Sequence, residues 1–254
     1  MKIFVCVKHV PDTAANIKIV DGNNFDDNVK FVVNPYDEYA IEQAVQIKKE
    51  KGGEVIIVTL GTDLAVATIR SALSMGADRG IHIKTDALIT DAMTTGLALK
   101  NIIQKEGGAD LVITGKQSVD TEGMQIQYRL ALGLGMPVVT DVVSMMLDNG
   151  LATVECERGN GEVAVMELDM PCVIGATKGL NEPRYPKLPD ILKAKRKPVN
   201  KIALTELVPQ LPADKTVIMS LSAIPEKGQA NIIEGTPVEA ASSFVELLKE
   251  EAFI

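Results

Sequence analysis

The stretch DLVITGKQSVDTEGMQIQYRLALGLGMPVVTDV, residues 110–142, decides the fold. Its apolar run at 111–113 predicts a buried strand, and the polar, glycine-bearing loop GKQSVDTEG follows. Residues 124–134 predict a helix, and 137–140 start another buried strand. That order is a βαβ unit, the building block of parallel sheets. In open parallel sheets the ligand crevice lies at the carboxyl ends of the strands. The loop also feeds a helix N-terminus, where unpaired amides and the helix dipole favour an anion such as phosphate. This is therefore the place to seek a nucleotide.

The same rhythm extends toward the N-terminus. IFVCVKHV, residues 3–10, predicts the first strand, ended by Pro11-Asp12-Thr13. Residues 17–33 are polar, with short alternating pieces (NIKIV, VKFVV) around an Asp21-Gly22 turn, and predict a hairpin excursion. A helix follows Asn34-Pro35, with Ala40, Ile41, Ala44, Val45 and Ile47 on one face and Gly52-Gly53 closing it. EVIIVTLG at 54–61 is the second strand, and the next helix has Thr62 or Asp63 as its expected cap and Gly76 as its end. GIHIK at 80–84 is the third strand, and a third helix spans 91–105. Strands alternating with helices predict an α/β fold with a doubly wound, mostly parallel sheet of the adenine-nucleotide-binding type.

Beyond 141 the pattern changes. SMML, LATVECER and EVAVMELDM, separated by DNG and GNG, predict antiparallel strands joined by tight turns. PCVIGAT at 171–177 is a further apolar strand that fits the main sheet. Beyond Pro198 little core is visible: TELVP, a strand-like TVIMSLSAI and a final helix at 237–251 suggest an extended C-terminal arm. The expected organisation is a nucleotide-binding domain at 1–180, a recognition and basic segment at 181–198, and an arm at 199–254.

Composition narrows the function. Of 254 residues, 46% are hydrophobic but only 4% aromatic, with no Trp, so the core must be aliphatic, as buried parallel strands are. A formal net charge of −8 argues against general nucleic-acid binding, which needs a basic surface. Cys6, Cys156 and Cys172 form neither a CxxC pair nor a metal-ligand spacing. Each lies in or beside an apolar run, so buried, reduced thiols are expected, which suits the cytoplasm. Met1-Lys2 runs straight into strand residues without a signal peptide, and no apolar run reaches the roughly 20 residues of a membrane-spanning helix.

The chemistry-bearing residues converge on one sheet edge. In the loop, Gly115 lets backbone approach a ligand, Ser118 and Thr121 offer hydroxyls to phosphate, and Gly123 helps expose amides. The Walker order GxxxxGK[ST] is absent, and the residues alone leave nucleotide binding and a structural loop both open. Lys8, His9 and Asp12 should lie near the same crevice, with His9 structural or solvated. His82 is expected as a strand residue facing solvent or a partner, and two histidines without an acidic cluster make no metal site. Asn34-Pro35-Tyr36-Asp37 reads either as a helix-opening turn with a dipole-favoured acid or as a wall stacking Tyr36 on a flat ring. Gly61, just after the second strand, offers a third wall. KGLNEPRYPKLPDILKAKRK at 178–197 reads as a charged linker or as a proline-stiffened loop presenting Leu188 to a partner.

Taken together, VCVKHVPD, VNPYDEYAIEQAVQIK, IRSALSMGADRGIHI, GKQSVDTEGMQ and LNEPRYPKLPDILKAKRK, in this order, resemble the beta subunits of electron transfer flavoproteins over nearly the whole chain. The resemblance implies an electron carrier without catalytic residues, half of a heterodimer whose alpha subunit holds most of the FAD. It implies electron transfer from flavin dehydrogenases, such as acyl-CoA dehydrogenases, to an acceptor such as a membrane quinone reductase. It also implies a structural AMP. Carried over by position, the AMP pocket comprises Cys6, Asn34, Pro35, Tyr36, Asp37 and Leu60. The loop adds Gly115, Lys116, Gln117, Ser118, Val119, Asp120, Thr121, Glu122, Gly123, Met124, Gln125 and Ile126. Tyr36 would also lie near the flavin of the alpha subunit. Leu188, Pro189 and Ile191 fall in the recognition loop that docks a dehydrogenase, and Lys193 and Arg196 fall where some members carry modifiable lysines.

Two departures stand out: the phosphate loop reads VDTEGMQ, and Thr13 replaces an aromatic that mitochondrial members place near the flavin. One subgroup bifurcates electrons and carries a second FAD in place of AMP. The NPYD turn and VPDT look partly like that subgroup, whereas LNEPRYPKLPDI looks like the single-flavin type, and AMP is the expectation. The rival of another class is a stand-alone ATP-binding sensor or ATP-using enzyme. It would need a metal-binding carboxylate beside the phosphates, a part for Asp120 or Glu122, and it has no use for the arm.

Overall fold

The computed structural model describes residues 1–22, 24–223, 225, 228 and 230–254. Strand β1 (Lys2–Cys6) runs through the middle of the sheet, and the chain then leaves it. The predicted strand at 3–10 is thus two: β2 (His9–Pro11) pairs antiparallel with β3 (Phe31–Val33) in a separate ribbon. The break falls at Lys8, whose amide donates to a side chain, Asp37 Oδ2, at 2.7 Å. Within the expected hairpin at 17–33, Ile19 and Phe25 form an antiparallel bridge flanked by backbone bonds from Val20 to Asn24 and from Asp26 to Lys18, and the last residues of that stretch are β3.

Helix α1 (Pro35–Lys51) begins on its proline, whose missing N–H costs nothing in a first turn. Then come β4 (Glu54–Gly61), α2 (Ala65–Ser74), β5 (Arg79–Lys84), α3 (Ala92–Lys105), β6 (Leu111–Gly115) and α4 (Ile126–Leu134). Asp91 caps α3, accepting from the Met93 amide at 2.7 Å. Neither Thr62 nor Asp63 caps α2 with its side chain: the flanking residue is Leu64, and Asp63 pairs instead with Lys84 and Lys201. Helix α4 starts at Ile126, two residues later than predicted, because Met124 holds a positive φ of 50°.

Strand β7 (Val138–Asp148) is continuous where two strands were expected. Its first half pairs parallel with β10 (Cys172–Ala176) and its second half antiparallel with β8 (Leu151–Gly159), which pairs with β9 (Glu162–Asp169). Asp141, with φ 59°, lies where the pairing changes hands. After α5 (Leu188–Ala194), β11 (Val199–Ala203) joins the far edge parallel to β5, and α6 (Leu204–Leu207) follows. This corrects the expectation of little core beyond Pro198, since Leu204, Leu207 and Val208 are buried in the cluster around α3. TVIMSLSAI forms no strand over 216–223, and its Ile224 lies outside the described residues. The last helix is α7 (Pro237–Glu250).

The sheet order is β11-β5-β4-β1-β6-β10-β7-β8-β9. Ile3 and Val5 of β1 face the cluster that includes Ile41, Ala44 and Leu73 of α1 and α2. Phe4 and Cys6 face the cluster with Leu99, Ile103 and Leu130 of α3 and α4. Both faces of the strand are buried, which is why its sequence is a continuous apolar run rather than an alternation. From β1 the chain winds outward to β4 and β5, then crosses back to lay β6 on the other side of β1. The switch point therefore falls between β1 and β6, the crevice where such sheets hold ligands. Among the described residues, no helix is long and apolar enough to cross a membrane.

Close packing leaves little tolerance under α2. A Cβ on Gly80 would stand 2.4 Å from Ile69 Cγ2, a fully buried side chain. Gly80→Ala should therefore cost about 1–3 kcal/mol by overpacking, lowering Tm by about 2–4 °C per kcal/mol for a chain of this size. Thermal unfolding of the variant checks this, and an unchanged Tm would contradict the packing.

Candidate functional site

The geometry at the switch point starts from Asp37, a buried residue in the first turn of α1. One carboxylate oxygen accepts from the Lys8 amide at 2.7 Å and the other from the Gly115 amide at 2.9 Å. Asn34 holds the next turn of the same loop, donating to Gln117 O at 2.9 Å and accepting from the Val119 amide at 3.1 Å. The dipole-favoured acid of the sequence reading is thus a staple between α1 and the loops after β1 and β6. Gly115 is required for that contact, because a Cβ there would meet Asp37 Oδ1 at 2.4 Å and Tyr36 Cβ at 2.7 Å. Its close approach is to α1 rather than to a ligand.

Beyond the staple, Lys8 Nζ lies 2.7 Å from Asp120 and 3.3 Å from the hydroxyls of both Ser118 and Thr121. Those two hydroxyls lie 3.0 Å apart. Glu122, with φ 47°, donates its amide to Ser118 O at 3.0 Å. Gln127 closes the loop from α4, donating to Lys116 O at 2.9 Å.

A crevice opens above these contacts. Of the residues singled out, Cys6, Asn34, Asp37, Leu60, Gly115, Gln117, Ser118, Gly123, Met124, Gln125 and Ile126 line it. Lys8, His9 and Gly61 line it as well. Pro35, Tyr36, Lys116, Val119, Asp120, Thr121 and Glu122 do not. Tyr36 and Lys116 turn to the other side of the loop, where Lys116 Nζ sits 5.5 Å from the Tyr36 ring centroid and 3.1 Å from Asp141. Leu188 and Ile191 are far off in another sense: they are exposed on α5, outside the crevice lining.

Sequence reasoning missed the wall formed after β5. Ala87, Leu88, Thr90, Ala92, Thr95 and Leu99 line the crevice. The available signal was positional: the loop after β5 leaves the same sheet edge as the loops after β4 and β6.

The chemistry is that of binding. Burial, and then the charge of Asp37, push the Cys6 thiol up to about 12, so it stays protonated and is no nucleophile. Burial lowers the pKa of His9. Its ring stacks on Phe31 with centroids 4.5 Å apart, and Nδ1 lies 2.7 Å from Thr68 Oγ1. His82 corrects the solvent-facing expectation. It is fully buried, and Nε2–H donates to the carbonyls of Gly61 and Thr62, both at 3.0 Å, shaping the turn beside the crevice. Six buried side-chain polar atoms lack a hydrogen-bond partner among the described residues, and two of them, His9 Nε2 and Thr90 Oγ1, belong to residues lining the crevice. Two such atoms beside one crevice suit the polar edge of a ligand. With Val58, Leu60, Leu99 and Ile126 as apolar walls, the donor set fits a flat heterocycle attached to polar groups. Asp120 is engaged with Lys8, and among the described residues no group of three or more His, Cys, Asp or Glu is placed to hold a metal ion.

Burial raises the Asp37 pKa from 3.8 to about 7, against the opposing pull of the Lys8, Asn34 and Gly115 hydrogen bonds. Its folded pKa lies above the unfolded one, so the folded chain keeps the extra proton between these values. The stability from this group is complete below about pH 4 and is lost as the pH rises through 7. Wild-type urea midpoints should therefore fall relative to those of Asp37→Asn between pH 4 and pH 8. Parallel profiles would show that Asp37 does not titrate there.

Known proteins are similar in sequence across the chain. Residues 23–207 match the model of the electron transfer flavoprotein domain. The chain is 36% identical over 259 residues to electron transfer flavoprotein subunit beta of Bacillus subtilis, covering 99% of each chain. It is 34% identical over 259 residues to the mitochondrial electron transfer flavoprotein subunit beta of Arabidopsis thaliana, covering 100% of both. It is also 35% identical over 263 residues to the caffeyl-CoA reductase-Etf complex subunit CarD of Acetobacterium woodii, again covering 100% of both.

Proposed function

Since this chain belongs to the electron transfer flavoprotein family, as a beta subunit, we propose that it pairs with an alpha subunit carrying FAD and holds a structural AMP in the crevice between β1 and β6. The observation that carries the adenylate is the pair of orphaned polar atoms, His9 Nε2 and Thr90 Oγ1, in a crevice with apolar walls. The adenine ring fits among those walls. The amides at the start of α4, with Ser118 and Gln125, would hold the phosphate. The protein's part is to bind, orient and exclude water; the redox chemistry is the flavin's. Tyr36 and Lys116, turned away from the crevice, would face the flavin of the alpha subunit.

The arm supports the heterodimer. Helix α7 buries none of its residues, yet exposes Val238, Phe244 and Val245, and the chain ends on exposed Phe253 and Ile254. Such a face needs a partner to cover it. The domain reading is then a nucleotide-binding body at 1–180, a recognition segment at 181–198 and an arm at 199–254, with β11 and α6 as the arm's root in the body. Buried thiols without a disulfide support a cytoplasmic setting. Flavin dehydrogenases are the donors in this reading. The name of the Acetobacterium relative, which joins such a subunit to a caffeyl-CoA reductase, supports CoA-thioester oxidoreductases among the partners. A membrane quinone reductase is the acceptor.

Denaturing the purified heterodimer should release one FAD and one AMP. Two FAD would put a second flavin in the crevice, and triphosphate hydrolysis by the chain alone would replace this reading with that of an ATP-using enzyme. Leu188 is 70% exposed and offers an apolar anchor to the donor. Leu188→Ala should raise the KM for reduction by a flavin dehydrogenase about tenfold, a hot-spot loss, without releasing nucleotide. Unchanged kinetics would remove the anchor role.

A further inference from the structure

The segment between β10 and β11 carries an apolar face with almost no core beneath it. Tyr185 is 97% exposed, Leu188, Ile191 and Leu192 are exposed too, and Ala194 is the buried residue of α5. A seven-residue helix does not sustain itself in water. Charged staples at both ends hold it. In front, Arg184 lays its guanidinium fork on Glu42 of α1, with Nε 2.6 Å from Oε2 and Nη2 2.8 Å from Oε1. The Glu42 side chain is 5% exposed and also accepts from Gln46 at 2.8 Å. Asn181 adds bonds to Tyr39 O at 3.0 Å and Gln43 Oε1 at 3.1 Å. Behind, Arg70 of α2 donates to Ala194 O at 2.7 Å and to Lys197 O. Lys197 in turn donates to Leu73 O at 2.9 Å and to Ala77 O, at the end of α2.

We propose that Glu42 and Arg184 are positioning residues for electron-donor docking: their fork presets the face at 185–192 in the form that an apolar pocket of a flavin dehydrogenase receives. The proposal rests on the reading of that face as the docking surface. Ordering a flexible loop subtracts from association, and a preformed surface avoids that loss. The bidentate geometry matters as much as the charge, because a guanidinium fixes both the direction and the roll of the backbone it belongs to. Burial of Glu42 is weak evidence for a stabilising role, since a buried ion pair seldom outperforms apolar packing. What the pair supplies is orientation of the segment that Arg184 begins. Glu42 lies outside the crevice lining, so its effect reaches the donor only through the segment that Arg184 begins.

The test is steady-state reduction of the full heterodimer by a flavin dehydrogenase. It compares wild type, Glu42→Gln, Arg184→Lys and Leu188→Ala, and each clamp variant combined with Leu188→Ala. Glu42→Gln should raise KM about tenfold while kcat and nucleotide content stay constant. Arg184→Lys keeps the charge, loses the fork and should behave alike. In the Leu188→Ala background either change should add less than about twofold, because the anchor that the clamp positions is already gone. An unchanged KM in the clamp variants beside a raised KM in Leu188→Ala overturns the proposal and leaves the docking reading intact. So does full additivity, or a loss confined to kcat. A silent Leu188→Ala instead brings down the docking reading itself. Should Glu42→Gln fail to fold, Arg184→Lys carries the same comparison.

Discussion

One buried carboxylate organises the working edge of this protein. Asp37 stands where the ends of β1 and β6 meet the start of α1, and it satisfies one backbone amide from each strand end. A backbone amide left unpaired in this buried place costs about 1–3 kcal/mol. The staple therefore admits little variation around it. It requires glycine at 115, since any side chain there collides with Asp37 and Tyr36. It ends β1 at Cys6, because the Lys8 amide is spent on a side chain rather than on a neighbouring strand. The chain can then turn away as β2 and bring His9 over the crevice.

The sheet explains why these ends lie together at all. Winding out to β5 and back to β6 puts the loop after β1 and the loop after β6 side by side, with no crossover helix between them. Helices α1 and α2 cover one face and α3 and α4 the other, so the crevice opens only at the carboxyl edge. Two of the six buried side-chain polar atoms without a partner among the described residues, His9 Nε2 and Thr90 Oγ1, belong to residues that line this crevice.

Away from the crevice the molecule uses charge for another end. The segment between β10 and β11 is held by guanidinium and ammonium groups bonded to carboxylates and carbonyls, while its apolar residues face out. A self-sufficient domain would do the reverse, with apolar side chains inward and charges in water. The same inversion marks α7, amphipathic yet unburied. Both leave apolar side chains at the surface of the single chain, whose family implies an alpha-subunit partner.

The sequence by itself determined the α/β class, the winding and the loop to search. Those follow from periodicity and from glycine and proline punctuation, which are local. Runs such as residues 55–58 and 111–113, apolar throughout, are legible as strands buried on both faces. The family likeness was also written in motifs along the chain. Tertiary structure alone decided which side of each motif faces inward. Tyr36 and Asp37 are adjacent, but one turns toward Lys116 and the other staples the loop, a division set by the start of α1 packing on Gly115. His82 looked like a surface residue, and it is buried with its ring on the carbonyls of Gly61 and Thr62, on the sheet face where Gly80 meets Ile69 of α2. The wall at 87–99 and the fork from Glu42 to Arg184 were equally illegible. Contacts between residues far apart in the chain leave no local pattern, since they depend on the closed sheet that first brings them into range.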